Sequence, residues 1–208
     1  MVPAPGRGPA ASPGRKIPGR GGGSRVRLRE ATTAPAASEE TITPTGPAPV
    51  TIRPAVLDDG PALALLDHRT WSWTVSPVSR WPADAEFFTD PAETRDVTVA
   101  EADGQVVGYV RVRPAMRLDS AAHVQEVAGL AVAPEAQGRG VGRRLLDAAR
   151  SVAVERGARR LTLRVLSTNV RARALYAAAG YQVEGVLKEH FLLDGRYVDD
   201  VLMALDLT

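Results

Sequence analysis

Residues 123–156 read HVQEVAGLAVAPEAQGRGVGRRLLDAARSVAVER and contain three patterns in succession. The segment Val124–Val132 is mostly apolar and predicts a β-strand, which Pro134 ends because proline has no N–H for a neighbouring strand. Residues 137–142, QGRGVG, form a basic glycine-rich loop. Beyond it, six apolar residues recur at the spacing of one helix face: Val141, Leu145, Leu146, Ala149, Val152 and Ala153. The sequence therefore predicts a strand, a loop and an amphipathic helix.

The loop has the composition of an anion-binding site. Gly138, Gly140 and Gly142 alternate along it, and their missing Cβ atoms let the backbone approach a ligand closely. The loop also leads into a helix N-terminus, where unpaired N–H groups and the positive end of the helix dipole favour an anion. Three positively charged side chains lie in the same segment: Arg139, Arg143 and Arg144. A phosphate group is the expected ligand.

The spacing of the glycines separates this loop from two common phosphate loops. A Rossmann loop needs a glycine or alanine where Arg143 stands, and a Walker loop needs a Gly-Lys-Ser/Thr ending that is absent here. The pattern that fits is Q-x-x-G-x-G, with Gln137, Gly140 and Gly142 in the fixed positions. This arrangement resembles the acetyl-CoA pyrophosphate loop of the GNAT superfamily of N-acetyltransferases.

A second motif of the same superfamily follows at the expected distance. Gly157 is expected to end the central helix, and residues 161–165 alternate as a strand. Ser167 or Thr168 is expected to cap a short helix that Gly180 ends. The pattern N-x-x-A-x-x-L-Y-x-x-x-G-[FY] is matched at Asn169, Ala172, Leu175, Tyr176, Gly180 and Tyr181. Two motifs in this order, bridged by a helix and a strand, extend the resemblance to residues 50–208.

The resemblance implies a fold of the α/β (α+β) class and a co-substrate. The expected fold is a mixed, mostly antiparallel sheet flanked by helices, in which the fourth strand (124–132) and the fifth (161–165) splay apart to admit acetyl-CoA. In the family, fourth-strand backbone groups hold the pantetheine arm and the thioester, which implies Leu130, Ala131 and Val132 here. The other cofactor-binding residues implied are Gln137, Gly138, Arg139, Gly140, Val141, Gly142, Arg143 and Asn169. The alternative to cofactor binding is that residues 130–132 belong to the strand core and that Asn169 only begins the helix.

Tyr176 is the expected general acid of acetyl transfer. A phenol with a pKa near ~10 can return a proton to a thiolate of comparable basicity. The resemblance implies that this side chain lies at the sulfur end of the cofactor. The alternative is a buried tyrosine that packs its helix onto the sheet.

Glu126 is the expected general base. It lies four residues before Leu130, so the two side chains share one face of the strand unless a β-bulge intervenes. Some family members use a glutamate twelve residues before the tyrosine, but Arg164 holds that position here. Glu126 as a solvated charge or an acceptor-binding group stays open. The weaker candidates are Glu189, His190 and Asp199, and an amine that arrives neutral needs no base.

The rest of the domain is predicted from local patterns. Residues 50–53 alternate as a strand, Asp58 and Asp59 suit a helix N-cap, and a buried helix side is expected from Leu63, Leu65 and Leu66. Asp-Gly pairs at 103–104 and 194–195 predict type I′ hairpins. All three tryptophans fall in the irregular segment 70–82, which is expected either to cover the core or to line the acceptor site.

Composition limits the remaining function classes. The chain has no cysteine and three scattered histidines, so no metal site is expected. Of 26 Lys and Arg residues, seven lie in residues 1–29 without an acid, which leaves 19 against 24 acidic residues and a net charge of about −5 elsewhere. Residues 1–49 are rich in Pro, Gly, Ser, Ala and Thr and are expected to be a disordered tail. No membrane-spanning run is present in the sequence, and a cytoplasmic location is expected.

The acceptor is expected to be a primary amine of an amino acid or another small molecule, attacked directly by acetyl-CoA. A protein N-terminus is an alternative acceptor, and a non-catalytic acyl-CoA-binding module is an alternative class. Nucleic-acid binding through the basic residues 1–29 is not favoured, although it would give a salt-sensitive affinity. A homodimer is one alternative for the oligomeric state.

Overall fold

The computed structural model describes residues 49–208, which form one sheet with helices on both faces. The strands are β1 Thr51–Pro54, β2 Val97–Ala102, β3 Gln105–Pro114, β4 Val124–Val132, β5 Arg160–Leu166, β6 Gln182–Leu193 and β7 Arg196–Asp206, and the α-helices are α1 Gly60–Thr70, α2 Val141–Glu155 and α3 Val170–Ala178. The predicted tail of residues 1–49 lies outside the described residues except for Pro49. None of the helices in the described part is long and apolar enough to cross a membrane.

The sheet is mixed and mostly antiparallel, as predicted. Its strand order is β1-β2-β3-β4-β5-β7-β6, and among residues 49–208 the β4–β5 pair is the parallel one. Both predicted Asp-Gly hairpins are confirmed, with φ of 51° and 70° at Asp103 and Gly104 and of 48° and 73° at Asp194 and Gly195. Positive φ at both central residues is what a type I′ turn requires.

Helix α2 packs its predicted apolar face on one side of the sheet. Val141, Leu145 and Ala149 are almost fully buried in the main core. The strand opposite makes room for them, because a Cβ on Gly108 of β3 would lie 3.1 Å from Leu145 Cδ1 and 3.0 Å from the carbonyl oxygen of Ala131. Gly157 ends the helix with φ of 74°, as predicted.

Helix α1 packs on the opposite side of the sheet. Tyr109 alternates with Gly108 along β3, and its hydroxyl donates to Asp67 of α1 at 2.7 Å. Leu63 and Leu66 are buried as predicted, but Leu65 is exposed, so the prediction for Leu65 is wrong. A helix turns by about 100° per residue, which places Leu65 about 200° from Leu63.

Asp59 occupies the predicted N-cap position of α1 but does not cap the helix with its side chain. Its two oxygens accept hydrogen bonds from Arg53 at 2.8 and 2.9 Å, and the backbone N–H of Val56 donates at 2.8 Å. The Arg53 hydrogen bond lowers the pKa of Asp59, against the opposing effect of burial. The carboxylate therefore fastens the start of α1 to β1.

We expect Asp59→Asn to lower the free energy of unfolding by about 1–3 kcal/mol at pH 7, because it removes charged hydrogen bonds from a buried group. The folded-state pKa is lowered, so this stabilisation is full above the pKa of an unfolded aspartate and is lost as the pH falls through the folded value. Urea unfolding at pH 7 and pH 3 measures it. Asp58→Asn, at the exposed neighbour, is the control. An equal loss at both pH values would contradict the ion pair.

Candidate active site

The parallel strands β4 and β5 separate halfway along their length. Residues Val124 to Val127 of β4 pair with Arg160 to Leu163 of β5, and the pairing stops there. Beyond this point β4 continues to Val132 while it pairs with β3. The predicted splay is therefore present.

Two β4 residues direct their backbone groups into the splay. The N–H of Ala133 donates to Val107 of β3 at 2.8 Å, and backbone groups alternate sides along a strand. The backbone N–H and C=O groups of Leu130 and Val132 therefore point away from β3, towards the gap. The carbonyl of Val132 accepts a hydrogen bond from Gln137 Nε2 at 2.9 Å. By the same alternation Ala131 points its backbone groups at β3.

The glycine loop has an open backbone at two of its three glycines. Gly138 and Gly140 both adopt φ of 76°, and a Cβ built on either would meet nothing within 4 Å. Gly142 differs, since its Cβ would lie 3.0 Å from Leu175 Cδ2 of α3. The first two glycines thus leave space for a ligand, and the third lets α3 pack against α2.

The first helical hydrogen bond of α2 runs from Arg144 N–H to the Gly140 carbonyl at 3.1 Å. The N–H groups of residues 141–143 therefore lack helical acceptors and lie at the positive end of the helix dipole. Val141 is placed here by its core side chain, which is 1% exposed. The loop and the helix start together have the backbone geometry that favours an anion.

The arginines of the motif are not all directed at this loop. Arg143 binds Asp147 at 3.0 Å and the carbonyl of Ala178 at 2.9 Å, which holds it against α3. Arg171 of α3, which the sequence analysis did not select, hydrogen-bonds Gln137 of the loop. Sequence spacing gave no signal for Arg171, because it reaches the loop across the splay.

Asn169 is the N-cap of α3. Its Oδ1 accepts from the Ala172 N–H at 3.1 Å. The predicted caps, Ser167 and Thr168, are wrong, because the N-cap residue is Asn169. The Thr168 hydroxyl instead donates to the carbonyl of Thr74 at 3.3 Å. Asn169 therefore starts the helix, and its amide nitrogen is not used in the cap.

Tyr176 lies on α3 with its ring buried in the core. The rings of Tyr176 and Tyr181 are 5.9 Å apart, and burial raises the pKa of Tyr176 to about 12. Among residues 49–208 the Tyr176 hydroxyl has no hydrogen-bond partner, and unlike the hydroxyl of Tyr181 it is not sealed from solvent. Tyr176 belongs to the same main core cluster as Tyr109 of β3. Tyr176 is a neutral phenol with an available proton.

Glu126 projects from the face of β4 that α1 covers. Arg113 of β3 lies opposite it in register and contacts its carboxylate at 3.4 Å. The expected shared face with Leu130 is wrong, because β3 pairs Val112 with Val127 but Arg111 with Gly129, and the extra residue Ala128 forms a bulge. The bulge directs Leu130 to the α2 face and leaves Glu126 on the α1 face.

A family model described as the acetyltransferase (GNAT) family matches residues 62–181, more than half of the chain, including both motifs. The chain belongs to the GNAT acetyltransferase family. The uncharacterized N-acetyltransferase YhfO of Bacillus subtilis is 35% identical over 86 residues, 41% of this chain and 58% of YhfO. The phosphinothricin N-acetyltransferase of Alcaligenes faecalis is 34% identical over 164 residues, 74% of this chain and 80% of the relative. A B. subtilis protein named for alanine N-acetylation of ribosomal protein bS18 is 33% identical over 132 residues, 62% and 83%.

Solved structures share this fold. The smu.2055 protein of Streptococcus mutans superposes with a TM-score of 0.69 at 28% identity, over 76% of this chain and 99% of that one. The yncA protein of Salmonella typhimurium, solved with its cofactor acetyl-CoA, superposes with a TM-score of 0.68 over 77% and 95% of the chains. Its identity of 24% supports the fold alone.

This GNAT chain has a second acid on the α1 face, which the sequence analysis missed. Asp67 accepts the 2.7 Å hydrogen bond from Tyr109, whose hydroxyl would lie 3.2 Å from a Cβ on Gly129 of β4. Burial raises the pKa of Asp67, against the opposing effect of the Tyr109 hydrogen bond. The two residues are 42 positions apart, so only the packing of α1 on β3 reveals the pair.

The tryptophan segment does not serve as a core cover. Trp81 is 56% exposed and Trp73 is 36% exposed. Trp71 donates its ring N–H to the carbonyl of Val78 at 2.8 Å and stacks edge-on against Trp73. The Thr168 contact with Thr74 joins the segment to the start of α3, beside the splay. An acceptor wall stays the prediction for this segment.

The weaker base candidates on the β6–β7 hairpin have other partners. The N–H of Glu189 and the ammonium of Lys188 each donate to Asp199 at 2.9 Å, and they lower the pKa of Asp199. His190 stacks edge-on against Phe191.

A shallow polar cleft of about 500 Å³ lies at the opposite ends of β4 and β5 from the loop, lined by His123, Arg159, Arg160, Asp206 and Thr208. It contains no predicted site residue.

Proposed function

We propose that this protein is an acetyl-CoA-dependent N-acetyltransferase that acts on the primary amine of an amino acid or another small molecule by direct attack. The observation on which the proposal depends is the open edge of β4. Leu130 and Val132 direct their backbone groups into a gap bounded by the glycine loop and by α3, which bears Tyr176. Backbone groups that face no neighbouring strand, next to a helix N-terminus that favours anions, fit a ligand with an amide-containing arm and a phosphate end.

The residues present fit acetyl-CoA. The N–H groups at the start of α2, with Gln137, Gly138, Arg139, Gly140 and Val141, would hold the pyrophosphate; Leu130 and Val132 would hold the pantetheine arm. The cradle at Gly138 and Gly140 supports this assignment, because a side chain at either position would occupy the open space. Bound acetyl-CoA supplies an activated acetyl thioester.

The chemistry of the chain needs three groups. The Leu130 N–H stabilises the negative charge that develops on the carbonyl oxygen. Glu126 removes a proton from the attacking amine, either directly or through a water. Tyr176 donates its proton to the departing thiolate, since a phenol is protonated at neutral pH.

We expect Glu126→Gln to lower kcat/KM for the amine by roughly 10²-fold at pH 7, with a smaller loss at high pH where more of the amine arrives neutral. Asp67→Asn is the matched comparison, because asparagine keeps an oxygen for the Tyr109 hydroxyl and removes only the charge. Steady-state rates from pH 6 to pH 10 measure both variants. A large loss in Asp67→Asn with full activity in Glu126→Gln would assign the base to Asp67.

The experiment that tests the proposed function is calorimetric titration of the full chain with acetyl-CoA, followed by thiol release in the presence of amines. Residues 50–208 form the second sample, since we propose that they make up the catalytic domain. Equal affinity in both samples and amine-dependent thiol release are expected. The proposal fails if acetyl-CoA does not bind. Binding of acetyl-CoA without thiol release in the presence of any amine would favour the non-catalytic module.

A protein N-terminus is the second candidate acceptor. The similarity to the relative named for ribosomal protein bS18 favours it, at 33% identity. A protein N-terminus and a free amino acid differ at the carboxyl group of the residue that bears the amine. In the protein this group is part of an amide bond, and in the free amino acid it is a carboxylate. Competition between a peptide and free amino acids for the same enzyme separates them.

A further inference from the structure

Arg164 of β5 lies directly beyond the residues that pair with β4. The last β4–β5 pair joins Val127 and Leu163, so Arg164 borders the open splay. Leu163 and Val165 are buried in the main core that α2 covers. Side chains alternate between faces along a strand, so Arg164 projects from the opposite face.

Glu126 projects from the same face as Arg164. Glu126 pairs in parallel register with Thr162, and Arg164 is two residues further along β5. Strands lie about 4.8 Å apart and rise about 3.3 Å per residue, which places the Cα atoms of Glu126 and Arg164 about 8 Å apart. A carboxylate and a guanidinium therefore project together from the α1 face of the sheet, beside the splay.

Asp200 of β7 fixes the position of Arg164. Its side chain is 3% exposed, and its Oδ2 accepts from Arg164 Nε at 2.6 Å and also contacts Nη2. The Arg164 side chain is 48% exposed. One edge of the guanidinium is thus bound to a buried carboxylate while the rest faces solvent.

A guanidinium held in this way is prepared for a second anion. Arg164 has five N–H donors, and its Nη1 has no partner within residues 49–208. A planar fork with fixed orientation loses little freedom when it binds a carboxylate. Asp200 supplies the orientation, and the exposed edge supplies the donors.

We propose that Arg164, positioned by Asp200, binds the carboxylate of the acceptor, so that the substrates are free α-amino acids bound as Glu126···amine and Arg164···carboxylate. The inference rests on the proposed function and narrows its acceptor. A peptide N-terminus or a simple alkyl amine lacks the second contact. Both ends of an amino acid are matched by a side chain of opposite charge.

The test compares free L-amino acids with their carboxamides, for example L-methionine with L-methioninamide, on the full-length enzyme. We expect kcat/KM to be at least about tenfold higher for the acid. Intrinsic reactivity opposes this order, because the neighbouring carboxylate keeps more of the amine protonated in the free acid. A preference for the acid therefore requires an anion site.

Arg164→Lys is the first variant, since lysine keeps a positive charge for Asp200 but lacks the fork. We expect its KM for the amino acid to rise about tenfold, with an unchanged KM for the carboxamide and for acetyl-CoA. Arg164→Gln combined with Asp200→Asn removes both charges and avoids a buried unpaired carboxylate. Arg160→Gln is the control, four residues away on the same strand and paired with Glu184.

Each outcome decides the inference. A preference for the acid that is lost in both Arg164 variants supports it. Equal rates for the acid and the amide overturn the inference, and so does faster acetylation of a peptide N-terminus. Either result leaves the proposed N-acetyltransferase activity standing. Failure to bind acetyl-CoA overturns the proposed function itself, and the inference with it. A change of kcat alone in Arg164→Lys would indicate a structural role and also overturn the inference.

Discussion

Tyr176→Phe should lower kcat by about 10³-fold while the affinity for acetyl-CoA stays unchanged. The substitution removes one hydroxyl from a buried ring, so packing against Tyr181 is retained. The departing thiolate must then take its proton from water, without a positioned donor. Single-turnover rates measure the chemical step, and calorimetry with acetyl-CoA measures binding.

Tyr181→Phe is the matched control. Its ring neighbours Tyr176, and its hydroxyl is buried without a hydrogen-bond partner among the described residues. Removal of an unsatisfied buried hydroxyl should leave the stability unchanged or raise it, and the rate should not change. If Tyr176→Phe retained the full rate, or if both variants lost activity equally, Tyr176 would have only a packing role.

The pH dependence of the wild-type enzyme follows from the same burial. The pKa of Tyr176 is raised to about 12, so the phenol is protonated throughout the range in which the enzyme is assayed. A fall in rate between pH 8 and pH 10 would therefore come from another group. The acceptor amine and Asp67, whose pKa is raised by burial, are the groups expected to shape the profile at lower pH.

The features that the sequence predicted correctly are local. Asp-Gly pairs favour positive φ at two adjacent positions, and both hairpins turn there. The bounds of β4 follow from one apolar run and the proline after it. The apolar spacing of α2 identified its buried face, with Val152 half-buried at the edge. Each of these depends on residues within a few positions of one another.

The features that the sequence did not predict depend on pairing between distant segments. The bulge at Ala128 arises from the register between β3 and β4, and it reversed the expected relation of Glu126 to Leu130. Asp59 is a residue type that commonly caps helices, but its carboxylate binds Arg53 of β1 instead of the backbone N–H groups of α1. Asp67 and Tyr109 meet only because α1 packs on β3.

The same distinction holds for the proposed site. The glycine loop is a local motif, and the sequence placed it correctly at the start of α2. The roles within the motif needed the fold, since a Cβ on Gly142 would meet Leu175 and Arg143 contacts α3. Arg164 was noticed only as a departure from the family pattern, and its buried partner Asp200 gives that departure a physical reason.

Gly140→Ala should weaken acetyl-CoA binding by roughly tenfold to a hundredfold, which corresponds to about 1.4–2.8 kcal/mol. Gly140 adopts φ of 76° at the start of α2, and its missing Cβ leaves open the space in front of the helix N-terminus. An added methyl group would occupy the position from which the backbone N–H groups reach a phosphate. Calorimetric titration with acetyl-CoA measures the loss.

Backbone strain alone cannot account for this loss of affinity. The variant Gly157→Ala separates the effect of strain from the effect of a blocked phosphate site. Gly157 follows the other end of α2 with φ of 74°, and a Cβ there would also meet nothing within 4 Å. Both substitutions therefore carry the same left-handed strain of about 1–2 kcal/mol and should lower the free energy of unfolding equally. Only Gly140→Ala should also lose affinity, because only Gly140 lies at the positive end of the helix. Equal affinities in the two variants would show that the loop does not hold the pyrophosphate.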